Sequence, residues 1–127
     1  MKTAYEIYRK ALALIGEAES EENQIFSERA VQMINLMLAE LYEIDLAIKG
    51  EEVPLDGTVA QIRSLSDRLN FSEVILFSLM PLGLAGYLLN EEEADRSSFF
   101  LQLYQKEREV LRARCRRGRR HKIYRSV

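Results

Sequence analysis

The residues with the most to offer chemically in this 127-residue chain stand near its C-terminus. Arg112, Arg114, Arg116, Arg117, Arg119, Arg120, Lys122 and Arg125 follow one another with few apolar side chains between them. Cations at this density suit two tasks. They neutralise phosphates with little need to read sequence, or they grip the carboxylates of an acidic protein surface, where the arginine fork is bidentate. A plainer role is to complement the negative end of a helix dipole. One or two cations would serve that role, and this segment supplies many more. The preference for arginine over lysine favours specific pairing over diffuse charge, and docking to protein is placed ahead of nucleic acid.

Other reactive types are few. Cys115 stands among arginines, which can lower a thiol's pKa and make it reactive, but an incidental thiol on a helix end explains it with less. His121 is the lone histidine and has no orienting carboxylate near it in sequence. Glu91, Glu92 and Glu93 could attract a divalent cation, yet a solvated acidic turn accounts for them. One cysteine and one histidine cannot build a tetrahedral zinc site. The sequence has no glycine-rich phosphate loop, no G-x-S-x-G elbow and no H-E-x-x-H. No catalytic residue, metal ligand or cofactor site is expected, and the chain is not expected to be an enzyme.

The formal net charge of −2 conceals a segregation. Residues 1–105 hold 8 Lys and Arg against 18 Asp and Glu, whereas residues 106–127 hold 10 against 2. An acidic body with a basic arm suits an anionic partner: nucleic acid, an acidic protein surface, or another copy of the chain. At 47% hydrophobic and 30% charged residues, the composition is that of an ordinary globular domain. Its length fits one domain. A single thiol excludes a disulfide scaffold and fits synthesis in a reducing cytosol. The stretch MKTAYEIYRKALALIGE lacks a cleavage-type signal, so secretion is not expected.

Four segments must carry these residues. Tyr5, Tyr8, Leu12 and Ile15 keep helical spacing between Thr3, with Glu6 at capping-box distance, and Gly16 as a stop. Ile7, Ala11 and Leu14 make this helix apolar on a second side, so it is expected between neighbours or against another subunit. After GEAESEEN, a second helix follows Phe26, Ala30, Met33, Ile34, Met37, Leu38, Leu41, Ile44 and Ile48 in steps of three and four, ending at Lys49-Gly50. Its polar face carries Glu28, Arg29, Gln32, Asn35, Glu40 and Glu43. Residues 50–69 form a long connection of the kind that is usually functional. A short extended piece is expected near Val59–Ile62, with Leu65 and Leu69 pinned to the core.

Asn70, paired with Glu73 for capping and with a Leu69–Val74 staple, is expected to open a third helix. From Val74 to Asn90 no residue is charged. The run is too short and too interrupted by Pro81, Gly83 and Gly86 for a membrane span. It reads as a buried central helix, kinked near Pro81 and closely approached at its glycines. A last helix carries Phe99, Phe100, Leu103, Tyr104, Val110 and Leu111. The expected fold is therefore all-α: one four-helix domain over residues 1–111, a long loop between the second and third helices, and a basic C-terminal arm over 112–127.

In order, AYEIYRKALALIG, ERAVQMINLMLAELYEID, SLSDRLNF, VILFSLMPLGLAGYLL, an acidic turn and FFLQLYQKEREVLR span nearly the whole chain. This succession resembles the head–tail connector (adaptor, or head-completion) proteins of tailed bacteriophages and prophages. The most telling stretch is Leu65-Ser66-Asp67 through Met80-Pro81-Leu82-Gly83-Leu84-Ala85. The resemblance implies a helical-bundle subunit in a ring, usually dodecameric, below the portal vertex of the virion. Such a ring extends the channel for genomic DNA and receives the next tail or stopper component. By that likeness Arg112–Arg125 would be the portal-docking arm, and loop 50–69 a tail-side or inter-subunit contact. No membrane partner is implied.

The alternative reading is a small nucleic-acid-binding protein that uses the same arginines. Against it, no short helix pair presents a polar, base-reading second helix, and the charge lies in one terminal arm instead of across a folded face.

Overall fold

The computed structural model describes residues 2–16, 24–54, 57–89 and 93–125, with side chains described from Phe26 in the second helix and up to Arg116 in the last. Among the described residues the fold is all-α with four helices. Helix α1 spans Ala4–Ile15 and α2 spans Gln24–Lys49. Helix α3 begins as a π-helical turn over Val74–Leu79 and continues as an α-helix over Met80–Leu88. Helix α4 runs over Ala94–Arg125. Among the described residues there is no β-strand, only an isolated antiparallel bridge between Thr3 and Arg68.

Two helix ends follow directly from glycine. Gly16 and Gly50 take φ of +76° and +74°, left-handed values that an L side chain resists. The chain therefore turns where α1 and α2 stop. Helix starts differ from expectation. Thr3 has extended N-cap geometry but makes no side-chain cap bond. The N–H groups of Ala4 and Tyr5 donate instead to the carbonyls of Asp67 and Leu65 at 3.1 and 2.8 Å. The loop arriving from α2 supplies the acceptors that the Thr3 side chain does not.

At α3, Asn70 and Glu73 form no capping pair. The N–H groups of Ile75 and Leu76 donate to the Ser72 carbonyl at 3.0 Å each, and Val74, the expected staple partner of buried Leu69, is 43% exposed. The π turn lies just before Pro81. A proline offers no N–H to the preceding turn, and a widened turn is one way a helix accommodates that loss.

Helix α3 is the central element, packed against the other three. Ile75, Leu76, Met80, Leu84, Ala85 and Leu88 are almost wholly buried. Its glycines are required by close approach: a Cβ on Gly83 would stand 2.6 Å from Met37 Sδ and 2.7 Å from Tyr104 Cδ2, and one on Gly86 would stand 2.7 Å from Leu101 Cγ. Helix α1 is sandwiched as expected, burying Ile7, Tyr8, Ala11, Leu12 and Ile15, although Leu14 faces solvent.

The long connection contains no strand at 59–62. Its Ile62 is instead held on α2: Asn35 Oδ1 accepts from the Ile62 N–H at 2.8 Å, and Asn35 Nδ2 donates to the Ile62 carbonyl at 3.0 Å. Ile62 and Leu69 are buried, and Leu65 packs against the core. Asp67 Oδ2 accepts from the N–H groups of Arg63 and Ser64 at 2.8 and 3.1 Å, closing a turn. Those two bonds favour the ionised carboxylate and hold it below the usual range.

Candidate functional site

The basic segment is the continuation of α4, a helix of 32 residues that passes without interruption through the 111/112 boundary. Its first part is bound to the bundle along its length. Arg96 Nη2 donates to the Ile15 carbonyl at 2.8 Å, while its Nη1 pairs with Glu93 at 2.8 Å. Ser97 Oγ donates to the Gly86 carbonyl at 2.8 Å. Phe100 and Tyr104 are buried, whereas Phe99 (59% exposed) and Val110 (39% exposed) lie outside the core despite their helical spacing.

Where the charge begins, α4 is clasped to α2. Arg108 Nη1 meets Glu40 Oε2 at 2.9 Å, with both side chains largely shielded from solvent. The Tyr87 hydroxyl reaches the other carboxylate oxygen at 3.5 Å, and the Arg108 guanidinium lies over the Tyr104 ring, 5.6 Å from its centroid. Burial, reinforced by the Glu40 charge, pushes the Tyr104 hydroxyl well above its ordinary pKa, and Tyr87 shifts the same way for the same reasons. Among the described residues, the buried Tyr104 hydroxyl and Arg108 Nε have no hydrogen-bond partner. Glu40, expected on a solvated polar face, is thus the acid that fixes the root of the basic segment.

Beyond this clasp, α2 and α4 run in the same direction and border an open cleft of about 420 Å³ lined by Glu43, Ile44, Ala47, Val53, Arg112, Cys115 and Arg116. Of the expected docking residues, the structure brings Arg112 and Arg116 together here, one helical turn apart. Arg112 also pairs with Glu109 at 3.2 Å. Arg114 is exposed and is not part of the lining. Among the described residues, neither Arg114 nor Arg116 has an acidic partner. The side chains of Arg117, Arg119, Arg120, Lys122 and Arg125, and that of His121, lie outside the described residues, as do Glu91 and Glu92.

A larger cleft of about 580 Å³ separates the C-terminal half of α2 from residues 58–71. Sequence reasoning missed its central acid. Asp45 is 2% exposed, and its Oδ1 accepts from the N–H and Oγ of Ser72 at 2.7 and 2.8 Å. Lys49 Nζ lies 3.0 Å from Asp45 Oδ2 and also donates to the Asn70 carbonyl. The available signal was an aspartate on the apolar stripe of Leu38 and Leu41 with a lysine four residues on. Asp45, Lys49 and Ser72 satisfy one another, so they tie the loop and the start of α3 to α2. They leave no group free for chemistry.

Among the described residues no cluster of three or more His, Cys, Asp or Glu side chains could hold a metal ion, and no helix is long and apolar enough to cross a membrane. Compared with known proteins, the chain matches no family model, no curated protein and no solved structure.

Proposed function

We propose that this chain is a structural subunit of a phage head–tail connector, assembling as a ring below the portal and extending the DNA channel to the tail. On this reading its place is the virion, its partners are further copies, the portal and a downstream tail or stopper component, and it performs no catalytic step. The succession of helices and phrases described above motivates it. The observation that carries it is the continuity of α4: the arginines are presented on a helix anchored by Arg108–Glu40. An anchored cationic helix loses less conformational entropy on docking than a free tail. Loop 50–69 is the corresponding contact on the tail side or between subunits. Its residues Glu51–Pro54 are exposed, and its later part is fixed to α2 through Asn35.

The test is binding to the cognate portal by native mass spectrometry, comparing the full chain with one ending at Val110, with nonspecific duplex DNA as a parallel ligand. Ring-stoichiometry binding to portal that is lost on truncation supports the connector reading. Binding to DNA alone, falling steeply with salt as counterion release requires, replaces it with the nucleic-acid reading.

A further inference from the structure

The cleft between α2 and α4 is matched in chemistry by a segment that the chain itself encodes. Its lining includes the apolar side chains of Ile44, Ala47, Val53 and Cys115, and Arg112 and Arg116 line it from α4. One acid, Glu43, lines it, and Arg116 has no acidic partner among the described residues. A complementary ligand is therefore a short acidic segment with side chains small enough to enter. Residues 17–23, Glu-Ala-Glu-Ser-Glu-Glu-Asn, have that composition. In an extended strand, every second residue faces the same side at a spacing of about 6.8 Å. Glu19 and Glu21 would then match Arg112 and Arg116, which are separated by about 6 Å of helix rise.

The cleft is out of reach of its own copy of this segment. Arg96 binds the Ile15 carbonyl, so α1 ends beside the start of α4. From Arg96 to Arg112, α4 rises about 24 Å, and from Gln24 to Ile44, α2 rises about 30 Å. The seven residues joining Gly16 to Gln24 span at most about 28 Å when fully extended. That is about half of a detour to the cleft and back. A second copy has no such restriction.

We infer that the α2–α4 cleft receives the acidic 17–23 segment of a neighbouring copy, in a head-to-tail contact that leaves Arg117–Arg125 for a different partner. A contact between two different surfaces of one chain is heterologous, and it closes into a ring or continues as a filament according to its rotation. The inference deepens the reading of the chain as an assembling subunit, but its test contains no portal and stands apart from portal binding.

The test is a charge swap read by sedimentation velocity at low salt, with circular dichroism to confirm that each variant keeps its helices. Arg112→Glu with Arg116→Glu in one variant, and Glu19→Lys with Glu21→Lys in another, should each weaken self-association at least about tenfold, since like charges then face each other. Mixed together, the two variants should associate with each other again. Self-association unchanged in either variant, a wild-type chain that stays monomeric, or a mixture that stays monomeric overturns the inference.

Discussion

The two halves of α4 follow the same backbone rule and serve opposite ends. From Ala94 to Leu111 the helix is held by side chains that reach other elements: Ser97 to α3, Arg96 to the end of α1, Tyr104 against Gly83, and Arg108 to Glu40. From Arg112 onward the charge changes sign relative to the body of the protein, and the described arginines turn to solvent or to an open cleft. The difference teaches that the first half of the last helix is a core strut, while the second half is the presenting arm of the proposed function. A change in the first half should therefore be read in stability, and a change in the second half in association.

The largest effect that would sharpen this comparison comes from Tyr104→Ala. Tyr104 is 1% exposed, and truncating a buried aromatic costs about 3–5 kcal/mol. Denaturant unfolding should show a loss of that size, and a near-neutral result would remove Tyr104 from the core. Next is Glu40→Ala, which leaves a mostly shielded Arg108 without its acid. A loss of about 1–2 kcal/mol is expected, below that of a fully buried pair because both groups keep some contact with water. Smallest is charge reversal in the presenting half: Arg114→Glu with Arg119→Glu and Arg120→Glu should change stability by no more than about 0.5 kcal/mol. A larger loss would show that this half is also part of the strut.

The sequence made the helices legible because their signals are local. The three- and four-residue spacing of α2 and the glycines at positions 16 and 50 depend on nearby residues alone. The helix starts were not legible, since the acceptors for Ala4 and Tyr5 are carbonyls about sixty residues away, at Asp67 and Leu65. That distance hides them from any capping rule. The same holds for Asn35 and Ile62, whose pairing across 27 residues holds the connection on α2.

For the candidate site, the arginines themselves were plain in the sequence. Their anchoring through Glu40, and the cleft that Arg112 and Arg116 share with Val53, needed the register between α2 and α4. A charged residue on a helix face reads as solvated until the facing element is known, and Glu40 and Asp45 were obscured for that reason.

The most direct measurement of the central claim is portal binding by the variant carrying Arg114→Glu, Arg119→Glu and Arg120→Glu, with its thermal unfolding recorded on the same preparation. If the second half of α4 is a docking arm on a stable bundle, the melting temperature stays at the wild-type value and ring-stoichiometry binding to the portal is lost. Retained binding at an unchanged melting temperature would contradict the account, because the arginines would then be dispensable for the one contact it assigns to them.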